Sequence, residues 1–279
     1  MGGQNGSERG LVNASLHQWN ILQGGNLAFS GLPDANLLIE LVTLLPKTFM
    51  NMPQLSLLRR ALLFGVALNL CLIVVRLSLY RPLLAMPGAL RFIVEPVIGL
   101  VGCGLFTLAA TSGKSVKLQE ALWTATTWGI IGGALLVVHM VLESFGQHIG
   151  ENSWITLAFM SITFLLWGVA GFVAARNTAS AALGLLGGCW SAVVSVIVAV
   201  SFGFVLMFFD VPSLDYVGTW AEFKQSGWSD VHAFAIANSL EAGFTHLLAG
   251  LVLGSIFGAI GGGMARVWPK HPGSQLASS

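Results

Sequence analysis

Apolar residues fall into six long runs separated by short polar or charged breaks, at 61–80, 91–110, 121–142, 154–175, 181–209 and 239–266. Each run supplies the roughly 20 apolar residues that a helix needs to cross about 30 Å of hydrocarbon. The pattern predicts an all-α, polytopic integral membrane protein with six transmembrane helices. Glu95-Pro96 interrupts the second run early. It reads either as a kink inside a helix or as a helix that starts at Pro96, since proline removes one backbone hydrogen bond but suits a first turn. The longest connection is 210–237, where Ser229-Asp230 is placed to cap a helix starting near Val231 and running toward the sixth span. Trp220, Phe223, Trp228 and Phe234 in that connection predict a segment lying along the membrane surface, and Trp123, Trp154 and Trp268 fall at span ends as interfacial anchors.

Outside the spans, residues 1–58 form an N-terminal cytoplasmic segment and 269–279 a polar tail. A short amphipathic helix is expected over 35–45, capped by Asp34, with Leu37, Leu38, Leu41, Leu44 and Leu45 to one side. It is too short to span, so it is expected to dock or to lie at the interface. The polar, Gly/Asn-rich start does not have the pattern of a cleavable signal peptide.

Small residues recur within the spans at four-residue intervals. On the sixth, Gly250, Gly254, Gly258 and Gly262 form one ridge; on the fifth, Gly187, Ser191, Ser195, Ala199 and Gly203 form another. Residues four apart share a helix face, and a face without bulk lets helices approach backbone to backbone, the mode by which helices associate in lipid. The fifth and sixth spans are antiparallel, so the two rows are expected to face each other. Weaker pairs are Gly129/Gly133 on the third span and Ala170/Ala174 on the fourth.

Composition agrees with this reading. The chain is 55% hydrophobic and 9% charged, against about 25% charged in ordinary soluble domains, and its mean hydropathy is +0.78. A net charge of +1 gives no electrostatic basis for a nucleic-acid partner. Cys71, Cys103 and Cys189 lie inside apolar runs and read as small hydrophobes without a disulfide. No cofactor is implied. The expected partners are the lipid bilayer and, through the glycine ridge, a membrane partner or a second copy of the chain.

Lys and Arg concentrate before the first span, in the second and fourth connections and in the tail, at Arg59, Arg60, Lys114, Lys117, Arg176, Arg266 and Lys270. The positive-inside rule then places both termini in the cytoplasm, and a bacterial inner (plasma) membrane is the expected location. Arg81 and Arg91 break the rule, which makes the first hairpin the weakest part of that topology.

On this topology the ionisable residues inside the spans share one depth. Arg76, Arg91, Glu95, His139, Glu143, Glu241 and His246 all fall in the outer third. Ionisable groups at membrane depth are costly and usually face a cavity or each other. The cluster, with Glu95, His139, Glu143, Glu241, His246 and Arg91 as binding candidates, therefore suggests a polar cavity open to the outside. The competing reading is local pairing and snorkelling, most obviously Arg91 with Glu95 at helical spacing. His139, Glu143 and His246 are also the candidates for a metal site, on a weak pattern, since His-Glu-x-x-His is absent. Thr111-Ser112-Gly113-Lys114-Ser115 does not make a phosphate-binding loop, because Leu108 stands where the first glycine is needed. Ser255 in Gly254–Gly258 lacks a triad partner one turn away and reads as packing. Three functions follow: transport or gating of a small solute or ion, a non-catalytic scaffold or subunit, and a membrane-embedded metal-dependent enzyme.

Overall fold

A computed structural model describes residues 55–145, 153–209 and 221–268. The expected helix over 35–45, Trp220 and the tail 269–279 lie outside the described residues. Six long helices make up the fold: α1 (Leu55–Leu79), α2 (Ala89–Ala110), α3 (Val116–Phe145), α4 (Ser153–Thr178), α5 (Ala181–Leu206) and α6 (Val231–Val267). A 3-10 turn, Arg81–Ala85, joins α1 to α2, and a short helix, Ala221–Ser226, precedes α6. Among the described residues there is no strand. All six helices are long and apolar enough to cross a membrane, and their exposed faces are apolar too. On α6, Leu248, Val252, Ile256, Ile260 and Met264 form an exposed row four residues apart. Such a surface is stable in lipid and would aggregate in water.

The α5 helix is the centre of the bundle. Its most apolar stretch is 67% buried, against 22–39% for the other spans. Around it stand α3, α4, α6 and α1, while α2 packs between α1 and α6. Both α1 and α3 pack on α5 but scarcely on each other.

Helix ends follow local chemistry. Ser180 caps α5, its hydroxyl accepting from the Leu183 N–H at 3.4 Å. Asp230 caps α6, accepting from the His232 and Ala233 N–H groups at 2.9 and 3.1 Å. As a result α6 is one helix of 37 residues, about 55 Å long, rather than a span preceded by a separate piece. Pro96 lies inside α2, which begins a full two turns earlier at Ala89. Of the two readings of Glu95-Pro96, the helix start is therefore set aside. Within the spans, serine and threonine hydroxyls mostly donate one turn back, as Ser255 does to Leu251 O at 2.7 Å and Thr107 to Cys103 O at 2.8 Å. This satisfies polar groups where no water reaches them.

The small-residue faces are used, but not in the expected pairing. The α6 ridge lies against α5 along a different row, Gly184, Gly188 and Ala192. A methyl group on Gly258 would stand 2.7 Å from Leu185 O and 2.9 Å from the Gly188 Cα, and one on Gly254 would collide with the Ala192 Cβ. The row Gly187, Ser191 and Ser195 instead meets α3 and α4, and Gly203 meets Met140 of α3. A methyl on Gly129 would stand 2.7 Å from Ser191 O, and one on Gly187 would stand 2.7 Å from the Ala174 Cβ. Ser195 Oγ donates to Gly129 O at 2.9 Å and accepts from Trp167 Nε1 at 3.1 Å. The weaker pairs on the third and fourth spans are thus the true partners of the α5 serine row. Adjacent residues on a helix differ by about 100° in azimuth, so Gly187 and Gly188 begin two separate faces. A central helix needs both.

Candidate functional site

The helix end where α1, α3 and α5 finish and α2, α4 and α6 begin is termed the upper end. All the ionisable residues singled out from the sequence lie there, but they belong to three separate places.

The first is the α2–α6 face. Arg91 Nε bonds Glu95 Oε1 at 2.8 Å, and its Nη2 bonds Glu241 Oε1 at 3.2 Å. With the Arg91 side chain 65% exposed, this triad ties two helices together and lies outside the cavity that forms the third place. The second is the α3–α4 contact. His139 is buried, with its ring on Phe159 at 5.2 Å between centroids. Its Nε2 lies 3.2 Å from Thr156 Oγ1 and 3.4 Å from Glu143 Oε1, while the Thr156 hydroxyl donates to the same Glu143 oxygen at 3.4 Å. Thr156 therefore positions Glu143 together with His139.

The third is a cavity of about 350 Å³, where α5 runs out at Leu206 and α6 continues upward. Arg76 of α1, Glu143 of α3 and His232, Asn238, Ser239 and His246 of α6 line its polar walls, and Val200, Phe204 and Gly243 its apolar part. The size falls at the small end of ligand cavities. His246 Nδ1 lies 2.7 Å from Ala242 O. A carbonyl can only accept, so Nδ1 is the donor in this contact. The Arg76 guanidinium lies 5.8 Å from the Tyr80 ring centroid and 5.7 Å from that of Phe208, between two aromatic faces.

A latch joins α1 to the start of α6 beside this cavity. The Tyr80 hydroxyl donates to Asp230 Oδ2 at 2.6 Å, and the Tyr80 and His232 rings stack at 5.8 Å. Burial and the bond to Asp230 push the Tyr80 hydroxyl up to about 12. Burial raises the Asp230 carboxyl, but the bonds it accepts from Tyr80, Ala233 and His232 outweigh that and hold it below its ordinary value. Beside the latch, Phe223 and Trp228 each pack edge to face on Phe234, and Trp228 also packs against Phe92 of α2 at 5.8 Å. These aromatics, read from the sequence as a surface-lying segment, are packed on one another and on α2.

Of the six binding candidates, Glu143 and His246 line the cavity, His139 reaches it only through Glu143, and Arg91, Glu95 and Glu241 do not line it. Glu241 and His246 part company because five residues turn a helix by about 500°, which leaves them roughly 140° apart. His232, Asn238 and Ser239 went unremarked in the sequence. The signal was present: with α6 running from Val231, His232, Ser239 and His246 recur every seven residues and share one face. Among the described residues no three His, Cys, Asp or Glu side chains are grouped so as to hold a metal ion, so His139, Glu143 and His246 do not form a ligand set.

Comparison with known proteins yields no match to a family model, to a curated protein or to a solved structure. Fold and surface together define an integral membrane protein with six apolar helices able to span a bilayer.

Proposed function

We propose that the protein binds a small polar solute in the upper cavity and moves it, or gates its movement, across the membrane. The observation carrying this reading is that polar side chains of three helices converge on one cavity, with Arg76, Glu143, His232 and His246 in its walls. Groups of this kind are costly at membrane depth and are kept where they meet water, a solute or each other. Glu143 and the Nε2 of His246 are the residues able to exchange a proton with the solute, and Arg76 is the fixed positive charge. Glu95, Glu241 and Arg91 brace α2 against α6 and do not line this cavity.

The scaffold reading relied on an open glycine ridge, and that ridge is occupied by α5. The metal-enzyme reading relied on a ligand set that the described residues do not assemble.

The test uses the full chain in proteoliposomes loaded with a pH-reporting dye, together with thiol labelling of Ser239→Cys in a Cys71→Ala background. A membrane-impermeant thiol reagent should label Ser239→Cys. Proton flux down an imposed gradient should be lost in Glu143→Gln and His246→Ala and kept in Glu241→Gln. Failure to label Ser239→Cys, or unchanged flux in both cavity variants, would overturn the proposal.

A further inference from the structure

At the opposite end of the bundle a second cavity, about 310 Å³, lies between the α4–α5 turn and the last turns of α6. We infer that this cavity seats the phosphate of an anionic lipid headgroup, held by Arg176 and Arg266. The two arginines are 90 positions apart in the chain, and the fold brings both to one opening together with Ser180 and Trp268. No carboxylate is among its lining residues. Arg176 is half-buried, its guanidinium 5.9 Å from the Phe172 ring centroid, and its Nη1 is buried without a hydrogen-bond partner among the described residues. A guanidinium donor shielded from water and left unbonded is unfavourable. Phosphate oxygens satisfy such donors in pairs, and two arginines together demand a net negative ligand.

The fold explains how the opening arises. Gly262 of α6 abuts the start of α5, where a methyl group would stand 3.0 Å from Ala181 O and 3.4 Å from the Gly184 Cα. This contact brings Arg266, one turn on, beside the end of α4. Ala179 turns the chain there with φ 54°, and the Ser180 N–H donates to Ala175 O at 3.2 Å. The first turn of α5, with its partial positive charge, adds to the field of the arginines. A lipid is favoured over a free anion because the cavity opens at the last turn of a membrane-spanning helix and is lined by Trp268, which is 49% exposed and follows Val267, 82% exposed. Acyl chains would pack on these apolar side chains while the headgroup enters the cavity.

The test is native mass spectrometry of the full chain in detergent, titrated with phosphatidylglycerol, phosphatidylcholine or inorganic phosphate. One phosphatidylglycerol should be retained per chain, in preference to phosphatidylcholine. The pair R176Q and R266Q should weaken it about thirtyfold, and R266Q alone, a change at an exposed helix end that is safe for folding, about fivefold. The pair K114Q and K117Q removes as much charge from the same end without touching the cavity, and should leave binding unchanged. Equal weakening by the lysine pair, equal retention of phosphatidylcholine, or displacement of the lipid by millimolar inorganic phosphate would each overturn the inference.

Discussion

Replacing Gly258 by alanine tests the packing at the centre of the bundle. The added methyl would stand 2.7 Å from Leu185 O and 2.9 Å from the Gly188 Cα, both backbone atoms of α5. Ordinary contact for a carbon against these atoms is about 3.5 Å, so α6 must back away by roughly 0.7 Å over at least one turn. Neither atom is the end of a flexible side chain, so rotamer changes cannot absorb the collision. Gly171 of α4 meets the same point, where a methyl on it would stand 2.8 Å from the Gly258 Cα and 2.9 Å from Gly184 O, so three backbones are close-packed there. Overpacking of this kind costs about 1–3 kcal/mol, and alanine returns about 0.5–1 kcal/mol of backbone entropy. Gly263 of the same helix is the internal control. A methyl there meets no atom within 4 Å, so Gly263→Ala should be neutral or slightly stabilising. Thermal unfolding of the purified protein, read as the fraction remaining monodisperse after heating, should place Gly258→Ala below the parent and Gly263→Ala at or above it. If the two variants melt together, the backbone approach of α5 and α6 at Gly258 is refuted.

Three further outcomes follow from other parts of the bundle. Ala179 holds a left-handed φ of 54°, so Ala179→Gly should raise stability by about 1 kcal/mol, seen as a higher melting temperature; a lower one would show that the turn needs the methyl. Ser195→Ala removes the acceptor for Trp167 Nε1 and the donor to Gly129 O, and should cost about 0.6–1.7 kcal/mol in equilibrium unfolding, as interhelical hydrogen bonds in membranes do. Asp230→Ala removes the cap of α6 and the acceptor of Tyr80, at about 1 kcal/mol. The Asp230 carboxyl is held below its ordinary value, so this contribution is present above about pH 4 and is lost as pH falls through the lowered value. Melting curves of parent and variant should therefore differ between pH 5 and 8 and converge in acid; a gap that widens in acid would contradict the assignment.

Much of the fold was legible because a bilayer imposes a local rule. A span needs about 20 apolar residues in a row, and such runs can be counted without knowing what they touch. Gly250, Gly254, Gly258 and Gly262 were equally legible as a face, since four-residue spacing is a property of one helix. The partner of that face was not. Around α5, the rows beginning at Gly187 and Gly188 are both small, and only the positions of α3, α4 and α6 decide which row meets which. The candidate site divided in the same way. Position along each helix follows from position along the chain, and it put Arg91, Glu95, His139, Glu143, Glu241 and His246 at one end of the bundle. Azimuth follows from the packing of the helices, and it sent Glu241 to α2, His139 to α4, and Glu143 and His246 to the cavity. What the chain carried by itself was therefore its spans and their small faces, because these depend on neighbours within a turn or two. What the tertiary structure decided was which faces meet and which side chains share a cavity, including Arg176 and Arg266, because those relations join residues far apart in sequence through the rotation of each helix about its own axis.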